Sequence, residues 1–390
     1  MQFFKKILRY CGYIIFRPIW WLEYFVPRSK RICVFGAWYG QKYSDNSKWL
    51  YEYILQHKPE IKSIWITKNR DVYNMLRTTG KPVYMSKSLK GIWFCLRAKY
   101  IFITSTQNDV NKYFLNGSKQ IWLWHGMPLK KIVYCGDYAN ISIFQKLFNP
   151  YEAVKPYATI TSSDYFTSYL QAAFRLPKER IWGTGLPRCD VFFTKMRESF
   201  VNSIREKIKK VKIFLYMPTF RMQSNMEGTP FSPFLKRFGF NEVEFINFLE
   251  EQNIFFLYKP HYVDASVKIE INSPRFLYIN DKDFDDLYVL LNSVDVLLTD
   301  YSSVYFDFLA TNKQIFLLVF DYEEYTNNSR AHFFNMYNEM HGNFCYDWND
   351  FYQKVSKSDF LLTSLEDDRN KFASYLNGQS CESIFKLLEY

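Results

Sequence analysis

Short apolar runs alternate with segments of helical periodicity from residue 31 onward, and this alternation limits the fold to one class. Continuous apolar strands separated by helices are typical of a parallel sheet that is covered by helices on both faces. A charged stretch at 195–212 interrupts the alternation, which then resumes. The predicted strands are 31–37, 63–67, 100–105, 121–124, 158–162, 212–217, 254–259, 276–279, 294–299 and 314–320.

Two groups of strands predict two domains, and the length of 390 residues agrees with this, because single cores stop growing at about 250–300 residues. We therefore predict an α/β protein with two doubly wound, Rossmann-like domains at 31–190 and 191–390, preceded by an amphipathic segment at 1–30. Ligands of such sheets bind beyond the carboxyl ends of the strands, so functional side chains are expected there.

The amino-terminal segment is basic and amphipathic. Residues 1–31 carry seven cationic side chains against one carboxylate, Glu23. Their net charge, 7 − 1 = +6, is more than half of the net charge of +11 of the whole chain. The apolar residues that share one helical face are Phe3, Phe4, Ile7, Leu8, Cys11, Ile14 and Ile15. Arg17, Pro18 and Glu23 break the apolar run, so no stretch approaches the roughly 20 residues that span a bilayer.

This pattern predicts a helix that lies in the plane of an anionic membrane surface, followed by interfacial aromatic residues at 20–25. A helix docked on the protein's own core is the alternative. The basic charge comes without a helix-turn-helix, zinc or RNP-type motif, so no nucleic-acid partner is predicted. Seven scattered cysteines without a Cys-x-x-Cys pair fit neither a disulfide framework nor a zinc site and indicate a reducing compartment.

Titratable or cationic side chains follow three of the predicted strands. His125 follows the strand at 121–124, Arg221 comes shortly after the strand at 212–217, and Lys259 and His261 follow the run at 255–258. Arginine can bind two phosphate oxygens at once and lysine supplies a point charge, so these positions favour an anionic substrate. A single histidine after a strand is also common for structural reasons.

The segment 299–307 follows another predicted strand and contains Thr299, Asp300, Ser302, Ser303 and Asp307. Either serine is suited to cap the next helix. Free backbone N–H groups and hydroxyls at a helix start can bind phosphate without a glycine-rich loop. Ordinary N-capping is the alternative interpretation.

At these residues the sequence resembles the CDP-glycerol glycerophosphotransferase family of teichoic acid and capsule synthesis. The family's Trp-His-Gly-Thr-Pro-Leu-Lys motif matches residues 124–130, and its Gly-x-Pro-Arg-Asn-Asp motif matches 185–190. Its Tyr-x-Pro-Thr-Trp-Arg motif matches 216–221, its Pro-His pair 260–261, and its Thr-Asp-Tyr-Ser-Ser-Val-x-Phe-Asp block 299–307. Met127, Cys189 and Phe220 depart from these patterns, which leaves the donor and the acceptor open.

The resemblance implies a GT-B-like fold whose second domain holds most of the donor, and peripheral attachment to the cytoplasmic face of the plasma membrane. It implies transfer of glycerol phosphate, or a related polyol phosphate, from CDP-glycerol to an undecaprenyl-linked glycan or a polyol-phosphate chain, with release of CMP. No cofactor or metal is implied, and no carboxylate cluster typical of a magnesium site stands out. The substrate-binding residues it implies are Arg221, Lys259, Thr299, Asp300, Ser302, Ser303, Asp307, Lys130 and Arg188.

His125 is the expected general base, because an imidazole with an ordinary pKa of about 6.5 can accept a proton at neutral pH. His261 is the alternative base. Two other functions stay open at this stage. A GT-B glycosyltransferase that uses a nucleotide sugar would share the fold, and a non-catalytic membrane scaffold would need neither histidine.

Overall fold

The computed structural model describes residues 18–19, 21–136, 156–219, 238–261, 271–328, 331–357 and 363–388. The helix predicted within residues 3–15 and the predicted site residue Arg221 lie outside these ranges. Throughout the described ranges, no helix is both long enough and apolar enough to cross a membrane.

The strands of the described chain form two sheets, and all neighbouring strands within each sheet are parallel. The strands are β1 Ser29–Phe35, β2 Lys62–Thr67, β3 Val83–Met85, β4 Ala98–Ile103, β5 Lys119–Trp122, β6 Ala158–Ile160, β7 Ile181–Trp182, β8 Lys212–Tyr216, β9 Ile254–Tyr258, β10 Phe276–Tyr278, β11 Val296–Thr299, β12 Gln314–Leu318 and β13 Asn343–Cys345. Their spatial orders are β3-β2-β1-β4-β5-β6-β7 and β10-β9-β8-β11-β12-β13.

Helices connect most of these strands. They are α1 Asp45–His57, α2 Arg70–Thr78, α3 Leu89–Arg97, α4 Thr167–Phe174, α5 Ser199–Lys207, α6 Glu242–Glu251, α7 Leu287–Ser293, α8 Val304–Phe308, α9 Tyr322–Asn328, α10 Met336–Glu339, α11 Trp348–Ser356, α12 Thr363–Phe372 and α13 Ser380–Lys386. Short 3₁₀ turns follow several strands, and Trp38–Gly40 and Gln107–Asp109 are the two that matter for the site.

The predicted α/β class with parallel sheets is confirmed, since each of the ten predicted strands overlaps an observed one. Sequence analysis missed β3, β7 and β13. Each of them is two or three residues long and forms one edge of its sheet. Such short edge strands carry too few residues to show a hydrophobic period.

The chain divides into two compact units. The first contains the described residues of 1–125, 132–190 and 375–390, and the second contains those of 126–131 and 191–374. Residues 375–390 belong with the first unit because the backbone N–H groups of Ser380 and Cys381 donate to the carboxylate of Asp190 at 3.0 and 2.9 Å. Gly185 has a φ of +77°, and a Cβ there would lie 2.5 Å from the Tyr375 carbonyl oxygen.

Residues 126–131 belong with the second unit because they pair with the segment around His332. Lys130 and His332 form an antiparallel bridge, and the backbone N–H of Phe333 donates to the carbonyl oxygen of Leu129 at 2.8 Å. His332 Nε2 is buried without a hydrogen-bond partner among the described residues. Burial, and secondly the charge of Lys130, lower the pKa of His332 to about 4.

This lowered pKa predicts a stability that falls in mild acid. Between pH 6.5 and 4 the unfolded chain binds a proton at His332 that the folded chain does not, so the free energy of unfolding decreases as pH falls through that window. Replacing His332→Gln removes this proton-binding site. We therefore expect the free energy of unfolding of the variant, relative to that of wild type, to be about 1 kcal/mol higher at pH 5 than at pH 7.5, allowing for solvent screening of a partly exposed ring. Urea unfolding at both pH values measures the gain. His57→Gln, at an exposed histidine, is the control, and an equal pH response of wild type and His332→Gln contradicts the prediction.

Candidate active site

His125 lies at the carboxyl edge of the first sheet, shortly beyond the end of β5. Its Nδ1 atom is 3.1 Å from the carbonyl oxygen of Thr104, which directly follows β4. The ring of Trp38, beyond the end of β1, is 5.4 Å from the imidazole, and the ring of Trp124 is 4.4 Å from it. The adjacent positions of β1, β4 and β5 therefore gather these four residues at one edge.

The bond to Thr104 selects the tautomer of the neutral His125 ring. A carbonyl oxygen can only accept a hydrogen bond, so the Nδ1 atom carries the proton. In the neutral ring the lone pair is then on Nε2. This is the tautomer required of a general base that takes a proton through Nε2.

Asp109 holds the peptide groups around Thr104. Its carboxylate accepts hydrogen bonds from the backbone N–H groups of Thr104, Ser105 and Tyr39 at 2.8, 2.7 and 2.7 Å, and from the Thr104 hydroxyl at 3.2 Å. Burial raises the pKa of Asp109, and the hydrogen bonds oppose that rise. Sequence reasoning did not select Asp109, Thr104 or Trp38, because it searched strand ends for cations and histidines. The positions of Thr104 and Trp38 directly after strands are the signal that could have found them.

Arg188 lies inside the first unit. Its Nη1 atom donates to Asp45 Oδ1 at 2.8 Å, and the two side chains are 4% and 5% exposed. Its backbone N–H donates to Asn46 Oδ1 at 3.1 Å. Sequence analysis placed Arg188 against the substrate, whereas in this structure its guanidinium is part of the interior.

Thr299 and Asp300 fasten the loop that follows β8. Asp300 Oδ1 accepts a hydrogen bond from the backbone N–H of Thr219 at 2.9 Å, and the carboxylate also accepts the Thr219 hydroxyl. The Thr299 hydroxyl donates to the Met217 carbonyl oxygen at 2.8 Å. Both residues are almost fully buried, and their hydrogen bonds hold the backbone at residues 217–219, which precede Arg221 in the sequence.

Lys259 and His261 follow β9 at the carboxyl edge of the second sheet. The Lys259 Nζ atom is 2.9 Å from Asp281 Oδ1, and the lysine side chain is 9% exposed whereas the aspartate side chain is 42% exposed. The pair thus places a nearly buried ammonium with a more exposed carboxylate partner at this edge of the sheet.

Burial, and secondly the charges of Lys259 and Lys130, lower the pKa of His261 to about 4. Asp281 and Asp300 oppose this shift. The charge of Lys130 therefore acts on the His261 ring. His261 is neutral at pH 7 and sits in a positive field.

The serines and Asp307 differ in their surroundings. Ser302 Oγ accepts a hydrogen bond from the backbone N–H of Val304 at 3.4 Å, whereas Ser303, at the N-cap position of α8, makes no side-chain cap. Asp307 is fully buried, and its Oδ2 atom accepts the Tyr288 hydroxyl at 2.6 Å. Sequence analysis placed Asp307 against the substrate, but its carboxylate lies within the core of the second unit.

Two departures from the family motifs are also interior. The side chains of Met127 and Cys189 are 0% and 1% exposed, so neither replacement removes a polar group from the surface. Among the described residues, no group of three or more His, Cys, Asp or Glu side chains is arranged to hold a metal ion.

Comparisons with known proteins agree with these motifs. The family described as CDP-glycerol:poly(glycerophosphate) glycerophosphotransferase matches residues 20–390. A teichoic acid glycerol-phosphate transferase of Staphylococcus aureus (strain NCTC 8325 / PS 47) is 25% identical over 98% of both chains. A teichoic acid poly(glycerol phosphate) polymerase of Bacillus spizizenii (strain ATCC 23059 / NRRL B-14472 / W23) is 28% identical over 83% of this chain and 81% of its own.

A solved structure of the wall teichoic acid polymerase TagF has a similar fold, with a TM-score of 0.76 and 21% identity over 99% of this chain and 96% of that chain. The family match covers nearly the whole sequence and includes every motif described above. The chain therefore belongs to the CDP-glycerol:poly(glycerophosphate) glycerophosphotransferase family.

Proposed function

We propose that this enzyme transfers glycerol phosphate from CDP-glycerol to a hydroxyl of an undecaprenyl-linked glycan or a polyol-phosphate chain, with release of CMP, in teichoic acid or capsular polysaccharide synthesis. The family match over residues 20–390 supports the reaction. The observation that carries the mechanism is the hydrogen bond from His125 Nδ1 to the Thr104 carbonyl oxygen. The two parallel α/β sheets support a GT-B-like arrangement, with the acceptor assigned to the first domain and the donor to the second.

In the proposed reaction the acceptor hydroxyl oxygen attacks the β-phosphorus of CDP-glycerol. The bond between that phosphorus and the bridging oxygen breaks, and CMP leaves with the bonding electrons. The hydroxyl proton moves to His125 Nε2, which the Thr104 hydrogen bond keeps as the proton acceptor.

His261 is better suited to bind phosphate than to act as the base. An imidazole with a pKa of about 4 is a weak proton acceptor at neutral pH, but its N–H can donate to a phosphate oxygen. Lys259, Lys130 and Arg221 would supply positive charge to the pyrophosphate. Ser302 and Ser303 would donate to the transferred phosphoryl group and to the leaving CMP.

We also propose that these cations serve in place of a metal ion. Excess EDTA should then leave the rate unchanged.

Activity is tested by CMP release from CDP-glycerol with a lipid-linked disaccharide acceptor, with CDP-ribitol and UDP-sugars in parallel. We expect acceptor-dependent CMP release from CDP-glycerol.

His125→Ala should lower kcat by about 10²–10⁴, the usual loss for a general base, whereas His261→Gln should mainly raise KM for CDP-glycerol because it removes a ground-state contact. His57→Ala, at an exposed site, is the control. Turnover of a UDP-sugar alone would contradict the proposed donor, and a loss below about tenfold in His125→Ala would exclude it as the base.

We propose that residues 21–25 contact the cytoplasmic face of the plasma membrane. Trp21, Leu22, Tyr24 and Phe25 are 61%, 66%, 70% and 78% exposed. Between them Glu23 is buried, and its Oε2 atom accepts the backbone N–H of Asn116 at 3.0 Å. Exposed aromatic residues beside a buried anchor support membrane contact.

Positive charge at the same edge of the first sheet supports an anionic lipid partner. Asn116 lies just before β5, so residues 21–25 are fixed near the amino ends of the parallel strands. Lys30, Lys62, Lys99 and Lys119 lie in the first residues of β1, β2, β4 and β5, which share that edge. Each basic group near an anionic membrane contributes about 1 kcal/mol of attraction.

Replacing Leu22→Ser and Phe25→Ser together should weaken binding to phosphatidylglycerol vesicles at least tenfold, because two apolar side chains no longer enter the interface. Co-sedimentation measures this, with phosphatidylcholine vesicles as the uncharged comparison. Val243→Ser, which removes a 69% exposed apolar residue from the second unit, is the control. Unchanged sedimentation of the double variant would contradict membrane contact at residues 21–25.

A further inference from the structure

Asn46 makes an unusual set of contacts with the turn that carries His125. Its Nδ2 atom donates to the carbonyl oxygens of Leu123 and Trp124 at 3.0 and 2.9 Å, and these are the two residues before His125. Its Oδ1 atom accepts the backbone N–H of Arg188 at 3.1 Å. The residue is completely buried, so both ends of the amide are used inside the protein.

The turn has a conformation that needs such support. The sheet ladder between β5 and β6 ends at Trp122, and the carbonyl groups of the next two residues point to Asn46 instead. Trp124 has a φ of +52° and Gly126 a φ of +130°. A tryptophan in the left-handed region is disfavoured and persists only where neighbouring contacts hold it.

Asp45 holds the other tryptophan that contacts His125. Its Oδ2 atom accepts the Trp38 Nε1 proton at 3.1 Å, and its Oδ1 atom accepts Arg188 Nη1 at 2.8 Å. Asp45 itself has a φ of +67°. Two consecutive residues at the start of α1 thus fix Trp38 and Trp124, the two rings that lie against the imidazole.

The ion pair between Asp45 and Arg188 is buried on both sides. A buried pair of this kind is often no more stabilising than apolar residues of the same size, and its best-attested use is to specify one geometry. That geometry here is the position of the start of α1 relative to the backbone at Arg188, which bonds to Asp45 through its side chain and to Asn46 through its backbone. The Asn46 amide then links the start of α1 to the two residues before His125.

We propose that Asn46, together with the Asp45–Arg188 pair, is a positioning element of the transfer reaction that sets the orientation of the His125 imidazole. This inference rests on the proposed function and reassigns Arg188 from substrate binding to positioning. Asn46 acts on catalysis only through His125, and it contributes nothing to donor affinity.

Asn46→Ala tests the inference by the separation of kcat from KM. We expect kcat for CMP release to fall about 10–100-fold, because small misplacements of a catalytic group have costs of this order, while KM for CDP-glycerol stays within about twofold. Trp38→Phe, which keeps a ring but removes the hydrogen bond to Asp45, should show a smaller loss in kcat with the same unchanged KM. Asn241→Ala is the matched control, since Asn241 also precedes a helix and its amide oxygen accepts the backbone N–H of Glu244 within the second unit.

Wild-type kcat in Asn46→Ala, or a change confined to KM, overturns the inference. If Asn46→Ala fails to fold, the result with Trp38→Phe decides, and full activity of that variant overturns it. Wild-type protein that does not turn over CDP-glycerol refutes the proposed function instead. The inference is then decided by ¹⁵N NMR of the His125 ring, where loss of the Nδ1-protonated form in Asn46→Ala supports it and retention overturns it.

Discussion

The hydrogen bond between His125 Nδ1 and the Thr104 carbonyl oxygen exists only because β4 and β5 run parallel and end side by side. Thr104 directly follows β4 and His125 lies shortly beyond the end of β5, where backbone groups need partners other than a neighbouring strand. Asp109 supplies partners for the turn after β4, and Asn46 supplies them for the turn after β5. The orientation of the His125 imidazole therefore depends on two buried polar side chains, Asp109 and Asn46, which hydrogen-bond to the backbone of the two turns.

The second sheet uses its carboxyl edge differently. Thr299 and Asp300 hydrogen-bond to the loop after β8, whereas Lys259 at the end of β9 pairs with Asp281 and His261 follows it closely in sequence. Burial, and secondly the charges of Lys259 and Lys130, lower the pKa of His261 to about 4, so its imidazole is neutral at physiological pH. His261 is neutral because of its lowered pKa, whereas the neutral form of His125 carries its proton on Nδ1, and this difference favours different roles for the two histidines.

Strand ends were predictable from sequence because a continuous apolar run and the polar residue after it are local features. In this way, sequence analysis predicted the positions after strands of His125, Lys259, His261 and Asp300. The burial of Arg188 and Asp307 was not predictable, because it depends on Asp45 and Tyr288, which are remote in sequence. Asn46 carried no signal at all: an asparagine near a helix start is ordinary, and only the fold reveals that its amide bonds to residues 123 and 124.

The protonation of the His125 ring is the point on which the mechanism depends, and ¹⁵N NMR of the histidine rings at pH 7 measures it directly. Only five histidines are present, so the His125 signals can be assigned by comparison with His125→Gln. The account predicts a neutral ring with a protonated Nδ1 and an unprotonated Nε2. A ring protonated at Nε2 alone, or at both nitrogens, would contradict it, because neither form could take a proton from the acceptor through Nε2.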